Sequence, residues 1–350
     1  MTSIRSSEHR GIAQTHNWGT MTVNIAFKTP DALVFATDGL ATLMDVDGAG
    51  SETFLSSMEN VEKLVLLSND GPERDDTWAP LLAMFNGVGS IGNGSVATDL
   101  RTIDRQQPRL QAETVADYTK RIALALEERA LSSLQTLPRP FHLILAGFDT
   151  ISGTIRPSIY AVQWRIDGGD PMIYGVLETP GVGGAVSHQY GAHYAGVTEA
   201  VARFVEGYDP ALPEQLGVML AGMGNDAPPG LLEQLAQDAR RIGGGAPLSN
   251  VDAAALAQRY AYLIVRGLFD RPQTAELSQH FSLQSAIDYC VFLAQCAYAR
   301  ETLSPTRKGP PRVGSTLQVA YVAAGERPIK LAGIRLGLRV HGYLAGATGT

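Results

Sequence analysis

The stretch Gly19-Thr20-Met21-Thr22-Val23 is followed by the apolar run Ala32-Leu33-Val34-Phe35-Ala36-Thr37-Asp38-Gly39 and then by Asn60-Val61-Glu62-Lys63-Leu64. Short apolar runs bounded by turn-forming residues predict β-strands, so a threonine, an aspartate and a lysine are expected at the ends of successive strands. A threonine with a free α-amine combines nucleophile and base, because its hydroxyl attacks while the amine, with a pKa of ~7.7–8.0, takes the proton. This stretch therefore favours a hydrolase that uses a terminal threonine.

Composition and charge exclude several other classes of protein. Hydrophobic residues make up 45% of the 350 positions, which is enough for a sizeable core, and the net charge of −7 argues against a nucleic-acid surface. No apolar run approaches the ~18 residues of a membrane span, and residues 1–18 lack the apolar centre of a secretory signal. The two cysteines, Cys290 and Cys296, fall in one helical pattern and are expected to be free thiols in a reducing cytoplasm.

The order of the motifs resembles that of the proteasome β-subunit family and its bacterial relatives. That family opens Gly-Thr-Thr-Thr at a processing point, ends its second strand at Asp-Gly or Asp-Ser, and starts a later strand with Val-Lys-Lys-Ile. Here the same places read Gly19-Thr20-Met21-Thr22, Asp38-Gly39 and Val61-Glu62-Lys63-Leu64. Further on, Ile144-Leu145-Ala146-Gly147-Phe148-Asp149 is similar to the family's Leu-Ala-Gly-Tyr/Phe-Asp strand, and Arg300-Glu301-Thr302-Leu303-Ser304 is similar to its Arg-Asp-x-x-Ser helix end.

The resemblance implies a catalytic set. Thr20 would be the nucleophile, freed by cleavage after Gly19, and Lys63 would lower the pKa of its hydroxyl while Asp38 holds the lysine charged. Glu301 and Ser304 would stand where the family has the aspartate and serine that support the threonine.

A glycine-rich turn follows the predicted strand 81–85. Gly87 and Gly89 stand where the family has its oxyanion-hole glycine, whose backbone N–H stabilises the developing negative charge. No metal or organic cofactor is expected. The isolated His142, His188 and His193 are interpreted as structural, and Asp149 as a turn cap.

The nucleophile has two candidate registers. The spacing from Thr20 to Asp38 is two residues longer than in the family, and an insertion in the turn 28–32 would absorb the excess. An even insertion leaves every strand residue on its face of the sheet. Counting without an insertion instead puts Thr22 in the nucleophile position, exposed by removal of Met21.

Hydrophobic periodicity gives the order of elements. Strands are predicted at 23–27, 33–37, 63–67, 81–85, 142–147, 158–164, 171–176, 316–322 and 329–332, and helices at 96–103, 112–134, 192–207, 213–223, 230–241, 251–268 and 283–302. The resemblance implies that they form the four-layer αββα sandwich of N-terminal-nucleophile hydrolases, an α+β fold. We expect residues 1–19 to be a propeptide or extension, and 20–350 to be one domain with insertions near 44–58 and 225–280.

Two alternatives to an active peptidase remain. Gly87-Val88-Gly89-Ser90-Ile91-Gly92 is a literal G-x-G-x-x-G after a predicted strand, as in dinucleotide-binding proteins, although no alternation of strands and helices surrounds it. The departures at Leu40 and Glu301 also fit an inactive ring subunit. The resemblance itself implies a homo-oligomeric ring that cleaves peptides or unfolded proteins, with an unfoldase as a possible partner.

Overall fold

The computed structural model describes most of the chain in segments. These are residues 22–46, 52–67, 81–87, 89–91, 94–110, 112–132, 141–151, 153–164, 171–180, 186–188, 190–197, 199–206, 279–303, 312–331 and 333–336, with the isolated positions 212 and 215. Several sequence predictions lie outside them. They are Gly19, Thr20, Ser304, the helix at 213–223 except for position 215, the helices at 230–241 and 251–268, and nearly all of the insertion at 225–280.

Strands dominate the described residues, and four helices accompany them. The strands are β1 (Val23–Lys28), β2 (Ala32–Asp38), β3 (Ala41–Val46), β4 (Glu52–Met58), β5 (Leu64–Leu67), β6 (Leu81–Asn86), β7 (Ser90–Ile91), β8 (Gly94–Ser95), β9 (His142–Ile151), β10 (Thr154–Gln163), β11 (Met172–Gly175), β12 (Glu178–Pro180), β13 (Val186–His188), β14 (Gly191–Gly196), β15 (Thr316–Ala323), β16 (Ile329–Lys330) and β17 (Ile334–Arg335). The helices are α1 (Val96–Gln106), α2 (Val115–Ser132), α3 (Glu199–Glu206) and α4 (Leu283–Leu303).

Two antiparallel sheets organise these elements. The first has the order β14-β1-β2-β15-β16, with β17 also paired to β15, and the second has the order β11-β10-β9-β6-β5. The predicted hairpin is confirmed, since β1 pairs β2 in the register Asn24↔Thr37 around a turn closed by the Thr29 side chain. The fold is therefore a mixed α/β arrangement built on antiparallel sheets.

Three apolar clusters fix where the helices and sheets pack. One joins the second sheet to α1 and α2, and another joins the first sheet to α3 and α4. The third, which we call the inter-sheet cluster, joins Ala26, Leu33 and Phe35 of the first sheet to residues of the second such as Met84 and Ile144. Because successive strand residues point to opposite faces, the apolar residues of one strand are divided between two clusters, as Ala83 and Met84 of β6 are.

The expected helix at 192–207 is wrong over its first part. Residues 191–196 form the edge strand β14, paired with β1, and only 199–206 are helical. The run Gly-Ala-His-Tyr-Ala-Gly has no strong strand preference, so pairing with a buried neighbour decides its structure over local propensity. The described parts of the expected insertion near 44–58 form a hairpin of β3 and β4.

The expected helices at 96–103, 112–134 and 283–302 are confirmed as α1, α2 and α4. Both cysteines lie on α4 as free thiols, and Cys290 is buried. Among the described residues, no helix combines the length and apolarity that a membrane crossing needs.

Asp149 lies within β9 and caps the start of a helix, whereas the sequence predicted that it would cap a turn. Its Oδ1 accepts hydrogen bonds from the Val115 backbone N–H at 2.7 Å, at the start of α2, and from Arg109 Nη2 at 2.8 Å. Both charged side chains are buried, so each compensates the desolvation of the other.

Replacing Asp149 is expected to destabilise the protein strongly. Asp149→Ala leaves the Arg109 charge buried without its partner and should lower the free energy of unfolding by about 3–5 kcal/mol. Urea denaturation followed by circular dichroism measures the loss. Glu128→Ala, on the exposed side of α2, is the control and should change it by less than about 0.5 kcal/mol. Equal unfolding midpoints for the two variants would contradict a structural role for the buried pair.

Candidate active site

Thr22 lies immediately before β1, where the strand enters the sheet. Its carbonyl oxygen accepts a hydrogen bond from the Val197 N–H at 2.7 Å, just after the edge strand β14. The residue is only 4% exposed, so its side chain is held inside the molecule rather than in solvent.

Lys63 contacts the Thr22 hydroxyl. It precedes β5, and its Nζ donates a hydrogen bond to Thr22 Oγ1. The same Nζ lies 3.8 Å from Asp38 Oδ2, and both charged side chains are nearly inaccessible to solvent. Thr22, Lys63 and Asp38 therefore form one buried group. Thr22 is the candidate of the second register, and Thr20, the candidate of the first, lies outside the described residues.

Asp38 ends β2 and is fixed by the backbone. Its Oδ1 accepts from the Val23 N–H at 2.8 Å, and its Oδ2 accepts from the N–H groups of Leu40 at 3.1 Å and Gly314 at 2.9 Å. These bonds leave the carboxylate no freedom to turn away from Lys63. They also attach it to the residue that follows Thr22.

Burial perturbs both charged groups. It lowers the pKa of the Lys63 ammonium below its ordinary value, while the charges of Asp38 and Glu59 oppose that shift. Burial likewise raises the pKa of the Asp38 carboxyl, against the effect of Lys63 and of three backbone N–H groups. An ammonium with a lowered pKa beside a hydroxyl is suited to stabilising an alkoxide and gives up its own proton at a lower pH than an ordinary lysine does.

The two glycines predicted to form the oxyanion hole differ in whether the backbone requires a glycine. Gly87 follows β6 with a φ of 102°, a left-handed conformation that glycine adopts without strain. Gly89 has open space where a Cβ would lie, and its carbonyl accepts from the Val96 N–H at 3.0 Å, at the start of α1. The backbone therefore requires a glycine at Gly87, whereas nothing described here requires one at Gly89.

Glu301 forms an ion pair with Arg312, which lies close in sequence to Gly314. It lies near the end of α4, is buried, and accepts hydrogen bonds from Arg312 Nε at 3.1 Å and Nη2 at 2.5 Å. Arg312 is two residues before Gly314, whose N–H binds Asp38. Glu301 thus connects α4 to the segment that holds Asp38. The expected companion Ser304 lies outside the described residues.

The G-x-G-x-x-G stretch lacks the surroundings of a dinucleotide site. The strand before it, β6, pairs antiparallel with both β5 and β9. A dinucleotide fingerprint needs a parallel βαβ unit, so this alternative is wrong for the described fold. Among the residues that the structure describes, no group of three or more His, Cys, Asp or Glu side chains could hold a metal ion.

Sequence reasoning missed two glycines that shape the site. Gly196 has a φ of 93°, and a Cβ built there would lie 1.7 Å from the Thr22 carbonyl oxygen. At Gly314 a Cβ would lie 2.8 Å from both Leu40 Cβ and Glu59 Oε2. Neither glycine belongs to a recognisable motif, because what excludes a side chain is a distant segment of the chain.

Comparisons with known proteins give a structural likeness but no sequence match. No protein-family model matches the sequence, and no curated protein matches it. Among solved structures, the chain is similar to Anbu (ancestral beta-subunit) from Yersinia bercovieri, with a TM-score of 0.38 and 11% sequence identity over 88% of this chain and 86% of that one. At this TM-score the likeness decides neither the site nor its chemistry, which depend on the contacts described above.

Adding a methyl group at Gly196 is expected to displace Thr22. Gly196→Ala combines an unfavourable φ, worth about 1–2 kcal/mol, with a clash against backbone that cannot move without breaking the β1–β14 pairing. Gly153→Ala is the matched control, because Gly153 also has a positive φ, of 78°, but open space around the Cβ position.

Guanidinium denaturation of both variants separates the two contributions. We expect Gly153→Ala to lose about 1–2 kcal/mol and Gly196→Ala to lose at least about 2 kcal/mol more. Equal losses would mean that the close approach to the Thr22 carbonyl is not a constraint on the fold.

Proposed function

We propose that this protein is an N-terminal-nucleophile hydrolase that cleaves peptide bonds with Thr22 as its nucleophile. One observation carries the proposal, namely that Lys63 Nζ donates to Thr22 Oγ1 while Asp38 lies behind the lysine. This favours the second of the two registers, with cleavage of the Met21–Thr22 bond in place of Gly19–Thr20. Residues 1–21 would then be the removed segment.

The mechanism uses the groups in this order. The free α-amine of Thr22 takes the hydroxyl proton as Oγ1 attacks the substrate carbonyl, and the ammonium of Lys63 stabilises the forming alkoxide. A backbone N–H at Gly87 would hold the oxyanion. The tetrahedral intermediate collapses to an ester on Thr22 and releases the amine fragment, which carries away the proton from the α-amine. Water then hydrolyses the ester by the same route and restores Thr22.

The four-layer αββα sandwich is the architecture proposed for this activity. It is supported by three clusters, one between the sheets and one between each sheet and its helices. A single domain with helical insertions, a homo-oligomeric ring and a cytoplasmic location complete the proposal and rest on the sequence resemblance.

Replacing Thr20 and Thr22 one at a time tests which of the two is the nucleophile. Thr22→Ala should abolish hydrolysis of fluorogenic peptides and acylation by a small β-lactone, because it removes the oxygen that Lys63 contacts. Thr20→Ala is the matched control and should keep both activities. Intact-mass measurement of the wild-type protein should show a chain that begins at Thr22.

Three results would contradict this assignment. A chain that begins at Thr20 and is acylated there would favour the first register. A chain that retains Met1 and reacts with no β-lactone would favour the inactive ring subunit. Full activity of Thr22→Ala would exclude its hydroxyl as the nucleophile.

The pH dependence of hydrolysis should depend on Lys63. As pH falls through the α-amine pKa of ~7.7–8.0, the base becomes protonated and kcat/KM falls. As pH rises through the lowered pKa of Lys63, the positive charge beside Oγ1 is lost and kcat/KM falls again. The profile should therefore be bell-shaped, with its alkaline limb below the ordinary lysine pKa.

Replacing Lys63 with arginine tests which group causes the alkaline limb. A guanidinium stays charged up to a pH of ~12, so the Lys63→Arg variant should show no alkaline limb up to pH ~11. Its maximal rate should be lower than that of the wild type. Lys120→Arg, an exposed lysine on α2, should leave the profile unchanged. An alkaline limb that persists in Lys63→Arg would assign it to another group.

A further inference from the structure

Two buried asparagine side chains beside Thr22 have polar atoms without partners. Among the described residues, Nδ2 of Asn24 and both Nδ2 and Oδ1 of Asn86 have no hydrogen-bond partner, although the side chains are 0% and 2% exposed. The remaining oxygen of Asn24 accepts from Thr37 Oγ1 at 2.6 Å. A buried polar group without a partner destabilises the fold, so three such atoms together indicate a place for an occupant.

Both side chains point into the layer between the sheets. On β6, Leu82 and Met84 belong to the inter-sheet cluster, and strand alternation puts Asn86 on the same face. On β1, Ala26 belongs to that cluster, which puts Asn24 on that face as well. The two amides therefore face the layer in which Lys63 meets Thr22.

Asn86 adjoins the backbone of the proposed nucleophile. A Cβ built at Gly196 would lie 3.5 Å from Asn86 Nδ2 and 1.7 Å from the Thr22 carbonyl oxygen, so both atoms border the same small volume. Asn86 also directly precedes Gly87, the proposed oxyanion donor. A group bound to the Asn86 amide would thus lie next to the backbone of Thr22.

Two histidines on the inter-sheet faces, His142 and His193, carry no charge at pH 7. His142 pairs with Asn86 across β9 and β6, and alternation puts His142 and His193 on the inter-sheet faces of their strands. Burial lowers the pKa of both rings, that of His193 to about 4, so both are neutral at pH 7. The nearby ammonium of Lys63 is already engaged by Thr22 and Asp38.

The unpaired atoms define the chemistry of a complementary group. They comprise two NH₂ donors and one carbonyl acceptor. A carboxamide matches this set, because its oxygen accepts two hydrogen bonds and its nitrogen donates. A carboxylate has no donor for Asn86 Oδ1, an ammonium has no acceptor for the two NH₂ groups, and an apolar side chain leaves all three atoms unpaired.

We propose that Asn24 and Asn86 bind substrate, and that the site prefers glutamine or asparagine as the residue whose carbonyl Thr22 attacks. This rests on the proposed peptidase function and specifies its substrate class. Asn86 is the central group, since both of its polar atoms are free, and Asn24 supplies the second donor. A site that hydrogen-bonds a polar substrate group discriminates strongly against analogues without that group.

A matched peptide series tests the preference. Fluorogenic peptides that differ only in the residue before the cleaved bond (Gln, Leu, Glu or Lys) are compared by kcat/KM on wild type, Asn86→Leu and Gln163→Leu. Wild type should favour Gln over Leu by about tenfold or more, Asn86→Leu should reverse that order, and the exposed control Gln163→Leu should behave as wild type. Asn86→Asp, nearly isosteric, should shift the preference from Gln to Lys and serves where Asn86→Leu does not fold.

Acylation of Thr22 by a small β-lactone, located by mass spectrometry, is measured on the same samples. Acylation together with equal rates for the Gln and Leu peptides would overturn the substrate preference and leave the peptidase function standing, with water as the occupant of the amides. Absence of both acylation and hydrolysis would overturn the peptidase function and this inference with it.

Discussion

The Asp38 carboxylate is the point on which the site depends. It receives N–H groups from the start of β1, from the residues after β2 and from the segment before β15, and it faces Lys63 from the start of β5. Three pieces of chain that are distant from Asp38 in sequence, at Val23, Lys63 and Gly314, are thereby held to its side chain. A carboxylate with this many donors stays in place although it is buried, because the hydrogen bonds compensate part of its desolvation.

The buried pair of Asp38 and Lys63 is costly for the fold and useful for the chemistry. Desolvation of two charges in an interior is only partly recovered by their attraction, so such a pair contributes little net stability. Its effect is to hold a cation with a lowered pKa against one hydroxyl. Glu301 and Arg312 form a second ion pair, buried only on the Glu301 side, that connects α4 to the segment that carries Gly314. Helix α4 is therefore connected to the site through that segment.

Much of this arrangement follows from local sequence, because Asp38 and Lys63 end and begin strands with clear apolar patterns. The nucleophile could not be fixed in the same way. Thr20 and Thr22 are two residues apart, and a shift of two residues leaves the alternating pattern of the following strand unchanged, so the contact between Thr22 and Lys63 is what favours the second register. Strand β14 and the constraints at Gly196 and Gly314 were not predictable, because pairing and close approach come from segments far away in the chain.

Two departures from the apolar pattern lie on strands that lead to the site. The core positions of β6 are apolar until Asn86 at the end of the strand, and on β1 the polar Asn24 lies two residues after Thr22, although Lys28 at the far end of β1 is buried as well. A fold selected for stability alone would fill the positions of Asn24 and Asn86 with apolar side chains, since unpaired amides cost free energy and contribute no packing. Asn86 also precedes Gly87, whose backbone is left-handed. Under the proposed function, a polar substrate would supply the partners that the two amides lack, so that free energy lost in the empty site is recovered on binding.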